Sequence, residues 1–440
     1  MIQTIDLRGR RLSRVELAAA VPRARVDVSM ASEAARTLIE EVRSGGSAAL
    51  RAQAERFDGV APASVRVPFG EFADALDALD PAVRDALEEA IRRVRAATSI
   101  QVPATATTEL GPGAVVHQRY QPVRRVGLYV PGGKAVYPSS VVMNVVPAQV
   151  AGVGSIALAS PPQRDHGGRV HPTILAAAAL LGIDEVYAMG GAGAIGALAH
   201  GVPDLGLEPV DVITGPGNVY VAAAKRVVQG VVGIDAEAGP TEILVIADDT
   251  ADPQLVAADL VSQAEHDELA AAVLVTDSPR LAERVLTAVE HAVSSARHAE
   301  RVRAALGAQQ SAVVLVDDLA AAAAFSDAYG PEHLEIQTAD PRAVLETISS
   351  AGAIFLGPGS PVSLGDYLAG SNHVLPTGGQ ARFSAGLGAY AFFRPQQVVE
   401  YSTGALGEVR DRIVALAEAE DLPAHGQAVT ARFSTPDGAN

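Results

Sequence analysis

Two hydrophobic periodicities divide the chain. Across residues 31–44 and 81–97, apolar positions recur every three to four residues, with Arg and Glu between them. That spacing lays one apolar stripe along a helix. From about Arg125 the texture changes to short β-rich runs alternating with Ala/Val-rich segments. Residues 126–130, 155–159, 185–189 and 211–214 read as one series of strands. Residues 242–246, 272–275, 312–316 and 353–356 read as a second, and a helix over 319–329 leads into a strand over 334–337. Each run is followed by a Gly- or Pro-containing turn and a helical segment, the βαβα rhythm of a parallel sheet. The pattern predicts an α/β fold of two Rossmann-like, doubly wound (αβα) domains with a crevice between them, plus short N- and C-terminal extensions. The expected boundaries are an arm over 1–25, a first α/β domain over 26–126 with 238–380, a second over 127–237, and a tail over 381–440. The tail reads as irregular, then helical over 407–420.

Composition narrows the function classes. With 440 residues, one small core cannot serve the whole chain. A net charge of −17 argues against nucleic acid or an anionic membrane as the main partner. Only two lysines occur, Lys134 and Lys225, so almost all positive charge is Arg. There is no cysteine. Disulfides, thiolate metal sites and Cys nucleophiles are therefore excluded, and any metal must be held by N and O ligands. The N-terminus lacks a long apolar core, and Gly and Pro interrupt every apolar stretch well short of a membrane span. A cytoplasmic location is expected.

Several residue groups could carry chemistry. Gln263 and His266 sit three apart after a helical run that starts at Pro253, so an amide oxygen and an imidazole could share one helix face. The pair alone reads as readily as a polar helix end. Three glycine turns, Pro131-Gly132-Gly133, Gly190-Gly191-Ala192-Gly193 and Gly215-Pro216-Gly217-Asn218, fall at strand ends in the first series. Small residues there let backbone N–H groups approach a phosphate, though any one turn could be merely tight. Glu332 and His333 are adjacent at an element boundary, either an acid/base pair or a surface charge pair. Asp366 lies in a loop-like stretch after a strand, a normal place for a functional carboxylate and equally for a capping one. Asn372-His373 follows closely and reads as a decoy. Glu420 and His425, near the C-terminus, matter only if the tail docks into a site.

Taken in order, these motifs resemble the L-histidinol dehydrogenase family over nearly the whole chain. The matching stretches include Gly127-Leu128-Tyr129-Val130-Pro131-Gly132-Gly133, Gly215-Pro216-Gly217-Asn218, Ala238-Gly239-Pro240-Thr241-Glu242, Gln263-Ala264-Glu265-His266, Gly330-Pro331-Glu332-His333-Leu334 and Ala424-His425. The resemblance implies an aldehyde-dehydrogenase-like architecture and one Zn²⁺ per subunit at Gln263, His266, Asp366 and His425. It implies that the last ligand comes from a partner subunit, in a homodimer with exchanged tails. Glu332 and His333 fall on the catalytic pair. Thr241, Gln263, His266, His333, Asp366, Glu420 and His425 fall on substrate positions, and Tyr129, Gly193 and Asn218 on NAD positions. The implied reaction is the four-electron oxidation of L-histidinol to L-histidine with two NAD⁺, through histidinaldehyde. Two departures stand out: the family commonly has Ser at the position of Thr241 and Gln at that of Gly193. The Thr hydroxyl preserves its contact; the glycine offers no side chain. Other readings stay open: a paralogous zinc/NAD alcohol dehydrogenase for another small polar alcohol, a zinc hydrolase, and a non-catalytic binding protein.

Overall fold

The computed structural model describes residues 2–24, 28–132, 135–237 and 239–433. Gly133, Lys134 and Ala238, which the sequence motifs include, lie outside the described residues. The chain divides into two compact units, one formed by residues 1–101 with 123–392, the other by 102–122 with 393–440.

The larger unit holds two parallel sheets. The first contains β4 (Arg125–Tyr129), β5 (Ser155–Ser160), β6 (Val186–Ala188), β7 (Val212–Thr214) and β8 (Gly233–Ile234), in the order β6-β5-β4-β7-β8. The second contains β9 (Glu242–Ala247), β10 (Ala271–Thr276), β11 (Ala312–Leu315), β12 (His333–Gln337) and β13 (Ala353–Leu356). Its order is β1-β11-β10-β9-β12-β13, with β1 (Gln3–Asp6) added parallel to β11 at one edge. Leaving β1 aside, both sheets start at a central strand, step twice to one side, then twice to the other. That order leaves a crevice where the direction reverses. β9 and β10 are buried at every position, as expected for strands with helices on both faces.

Three features differ from the sequence expectation. Residues 1–25 are not simply an arm: β1 extends the six-stranded sheet, and Ser13 opens a short helix, Arg14–Ala20, with a complete capping box. The N-terminal helices pack on the five-stranded sheet's domain, whereas the expected boundary joined residues 26–126 to 238–380. Helix Val28–Phe57 lies against helices Gly191–His200 and Val219–Val228, and helix Pro81–Ser99 lies against Pro138–Ala151. Helix Val28–Phe57 breaks at Gly46, whose φ of +56° suits a residue without a side chain. Its two arms are tied where Gln53 Nε2 donates to the Leu38 carbonyl at 3.0 Å and to the Glu41 carboxylate at 2.9 Å.

The smaller unit contains the third difference. β2 (Ala106–Gly111), β3 (Ala114–Pro122) and β14 (Phe393–Tyr401) form an antiparallel sheet in the order β14-β3-β2. Helices Thr403–Ala419 and Pro423–Thr430 follow. Of its described residues only Ala114, Ala405, Ala417 and Gly426 are buried. Leu110, Val398, Val399, Leu416 and Leu422 are exposed. Among the described residues no helix is long and apolar enough to cross a membrane.

Candidate active site

Polar side chains gather where the carboxyl edge of the five-stranded sheet meets the amino edge of the six-stranded sheet. A cavity of about 100 Å³ is lined by Gly215, Pro216 and Gly217, which follow β7. It is also lined by Thr241, just before β9, and Glu332, just before β12. Asp235, His373 and Thr377 add further polar side chains to its wall.

Local structure places the catalytic candidates. Helix Leu319–Tyr329 ends at Gly330 in the left-handed conformation, which turns the chain so that Glu332 immediately precedes β12 and His333 opens it. Glu332 Oε2 accepts from Thr241 Oγ1 at 2.6 Å and from the Glu242 backbone N–H at 2.8 Å. Thr241 Oγ1 in turn accepts from Gln263 Nε2 at 2.7 Å. His333 Nδ1 lies 3.0 Å from the Glu242 carbonyl and 3.5 Å from Glu332 Oε2. A carbonyl can only accept, so Nδ1 carries the hydrogen and Nε2 keeps its lone pair. Glu242 is itself pinned. Its carboxylate accepts from Arg23 Nε at 2.6 Å and from the Gly378 N–H at 2.9 Å, and Arg23 also donates to the Tyr329 carbonyl.

Burial sets the electrostatics. It pushes the Glu332 carboxyl well above the usual carboxylate range, against the two hydrogen bonds that favour the ionised form; the Glu242 and Asp366 charges push it further up. Burial holds His333 below its ordinary value, with the Asp366 charge opposing. The same balance lowers His266. Burial thus favours the protonated Glu332 carboxyl, which is a strong base only once ionised, and the neutral His333 imidazole, whose free Nε2 can accept a proton.

The structure brings Gln263, His266, Thr241, Glu332, His333 and Asp366 into one neighbourhood of the larger unit. The Asp366 charge acts on His266, His333 and Glu332. Two local expectations change. Helix Pro253–Ala264 stops before His266, whose N–H reaches the Gln263 carbonyl at 3.3 Å, so a turn rather than a helix face brings the two residues together. Asp366 stands on a short helix, Val362–Tyr367, not in a loop.

The donors fit a zinc ion in kind. The Gln263 side chain is buried with its nitrogen engaged by Thr241, so its oxygen is the end left to face a cation. An amide oxygen, an imidazole and a carboxylate form an N/O set. Among the described residues no group of three or more His, Cys, Asp or Glu gathers to hold a metal. The expected set includes a glutamine and places His425 in the smaller unit. There Glu420 ends helix Thr403–Ala419, and His425 lies in helix Pro423–Thr430; both are exposed.

On the expected nucleotide side, Tyr129 ends β4, is buried, and accepts the Gly191 N–H on its hydroxyl at 3.1 Å. Burial pushes its phenol up to about 12. Asn218 caps helix Val219–Val228, its side-chain oxygen accepting from the N–H groups of Tyr220 and Val221. Gly193 is buried on helix Gly191–His200, and a Cβ there would stand 2.0 Å from Gln53 Oε1. That position has no side chain to offer, and one could enter only if Gln53 shifted.

Sequence reasoning set aside His373, yet its ring bonds the Asp366 carbonyl at 2.9 Å and Ser140 Oγ at 3.0 Å. It also missed Arg23 and Glu242, whose roles depend on contacts more than two hundred residues apart.

Comparisons with known proteins agree over nearly the whole length. The family model described as histidinol dehydrogenase matches residues 21–433. The chain is 72% identical over 432 residues to the histidinol dehydrogenase of Leifsonia xyli subsp. xyli, covering 98% of this chain and 99% of that one. It is 61% identical to that of Nocardia farcinica, covering 98% and 97%. The crystal structure of histidinol dehydrogenase from Elizabethkingia anophelis superposes with a TM-score of 0.92 at 33% identity, over 98% of each chain.

Proposed function

The chain belongs to the histidinol dehydrogenase family of oxidoreductases, and on that premise we propose that it oxidises L-histidinol to L-histidine in two NAD-linked steps through histidinaldehyde. The observation that supports this most is the aligned base pair beside the cleft: Glu332 held by Thr241 and Glu242, and His333 held by the Glu242 carbonyl.

In the first oxidation His333 Nε2 takes the proton of the substrate hydroxyl as its carbon gives up a hydride. The chain has no thiol, so the aldehyde is hydrated rather than captured as a thiohemiacetal. Glu332, in its ionised form, takes a proton from the water that adds to the carbonyl, while His333 returns its first proton to the carbonyl oxygen, giving the hydrate. His333, neutral again, then takes a proton from the hydrate as the second hydride leaves, which yields the carboxylic acid, and loss of its proton gives the carboxylate. General acid–base help of this kind is worth roughly 10²–10⁴-fold. NAD⁺, held on the side of Tyr129, Gly193 and Asn218, would supply the hydride acceptor for each step. Zinc, held by Gln263, His266, Asp366 and a partner's His425, would orient the substrate's imidazole and amine and has no redox role. Thr241 and Glu420 complete the substrate contacts.

The smaller unit supports a homodimer with exchanged tails. Its few buried residues and its exposed Leu110, Val399 and Leu416 are what a surface completed by a second copy looks like.

The test is NADH counted per histidinol consumed, with and without a chelator. Two NADH per histidinol, lost on chelation, are expected. One NADH, or none, would contradict the four-electron reading, and full activity after complete metal removal would contradict the zinc.

A further inference from the structure

Lys225 is one of only two lysines in the chain and is buried, with 1% of its side chain exposed. The chemistry above does not use it. It forms an ion pair with Asp235, whose side chain is 5% exposed. Both ends of this pair hold the same residue. Lys225 Nζ donates to the Gly215 carbonyl at 3.0 Å, and the Gly215 N–H donates to Asp235 Oδ2 at 2.8 Å. The opposite face of Gly215 lies on β4. Its φ is +118°, and a Cβ there would stand 1.9 Å from the Tyr129 carbonyl oxygen. Gly215 is therefore wedged between strand β4 and a buried ion pair, with both of its backbone polar groups engaged. The turn it opens lines the cleft shared with Thr241 and Glu332, and Asp235 lines that cleft too.

A buried charge pair is costly to desolvate, and hydrogen bonds to its remaining atoms are what make it tolerable. Here those bonds go to a glycine-rich turn at the carboxyl end of a strand, where backbone N–H groups meet anionic ligands. We propose that Lys225 and Asp235 are positioning residues that lock turn 215–218 against β4 and so hold its backbone in the shape a dinucleotide requires. The inference rests on the reading of this turn as part of the NAD side. Neither residue touches the reacting atoms, so their loss acts on cofactor binding before it acts on chemistry.

The test combines a measurement on the unaltered enzyme with variants. In native-state hydrogen exchange the Gly215 amide should be protected like the amides of β4, because its bond to Asp235 is buried. Asp235→Asn should raise KM for NAD by about tenfold, equivalent to about 1.4 kcal/mol, with kcat at saturating NAD nearly unchanged and Gly215 exchange accelerated. Lys225→Met should be worse, since it strands the Asp235 charge and also removes the donor to the Gly215 carbonyl, whereas Asn keeps an acceptor for the Gly215 N–H; Lys225→Met with Asp235→Asn should recover part of the loss. Rapid exchange of Gly215 in the unaltered enzyme overturns the proposal, even if no variant folds. So does an Asp235→Asn enzyme with a lowered Tm but an unchanged KM for NAD, provided that Asn218→Ala does raise that KM. If Asn218→Ala leaves it unchanged, the reading of the turn as the NAD side has failed instead, and Gly215 exchange alone judges the lock.

Discussion

The two parallel sheets of the larger unit share one strand order but offer opposite edges to the cleft. The five-stranded sheet presents its carboxyl edge, through the glycine turn that follows β7. The six-stranded sheet presents its amino edge, through Thr241 before β9 and Glu332 before β12. The first edge works with backbone: Gly215 can sit there only because it has no Cβ. The second works with side chains, each fixed by a neighbouring strand: Glu332 by the N–H of Glu242, His333 by its carbonyl. Edge usage in α/β proteins is thus a matter of what must be presented. Main-chain donors come from loops at carboxyl ends, whereas a rigid acid/base pair can be built where strands begin.

The largest expected effect tests the amino edge. His333→Asn keeps a side-chain donor toward the Glu242 carbonyl but removes the base, and both oxidations should slow by roughly 10²–10⁴-fold. Single-turnover NADH formation from histidinol and from the aldehyde would measure this. Equal rates in variant and parent would remove His333 from both steps.

The corresponding change at the carboxyl edge is Gly215→Ala. Its φ of +118° and its 1.9 Å approach to the Tyr129 carbonyl predict strain of about 1–3 kcal/mol, with overpacking of similar size added. A thermal melt reads this directly. An unshifted Tm would mean that the turn is held less tightly than described.

Gly193→Ala should destabilise by about 1–3 kcal/mol. The added methyl meets Gln53, which cannot retreat without leaving Leu38 and Glu41. Pairing it with Gln53→Ala should recover most of the loss, since the two residues share one space. Additive losses in denaturant melts would contradict that account.

The smallest effect concerns pH. Glu335 lies on β12 two residues beyond His333 and is fully buried, and burial together with the Asp259 charge raises its carboxyl to about 9. The folded state then holds a proton that the unfolded chain releases at the ordinary value of 4.5. This contribution to stability is complete below that lower value and is lost as pH rises toward the upper one. Glu335→Gln keeps a donor at the same place, so its Tm should fall less than the parent's across that window. Parallel Tm curves would show that the carboxyl carries no proton there.

Much of this was legible in sequence. Most strands of the two parallel sheets are continuous apolar runs, such as residues 243–247, and announced themselves; the polar β1 and the two-residue β8 did not. β3 and β14 did not, because polar, half-exposed stretches such as Phe393–Tyr401 carry no apolar run. The packing of helix Val28–Phe57 was hidden too, because periodicity shows that a helix has an apolar face but not which sheet receives it. At the site, Glu332 and His333 were visible as an adjacent pair, and the family resemblance supplied their company. The tautomer of His333 was not visible, because it depends on the Glu242 carbonyl ninety-one positions away. His373 read as a decoy because only the fold brings its ring to Ser140.

The central claim is that one buried pair divides the work, His333 serving both oxidations and Glu332 the water of the second. The most direct measurement is the rate of each half-reaction in Glu332→Gln, followed as NADH formed from histidinol and from histidinaldehyde. The amide keeps the shape of the site but cannot take a proton from water. Near-normal oxidation of histidinol, with aldehyde oxidation slowed by roughly 10²-fold or more and histidinaldehyde accumulating, is the predicted result. Equal slowing of both half-reactions, or an unimpaired second one, would contradict it.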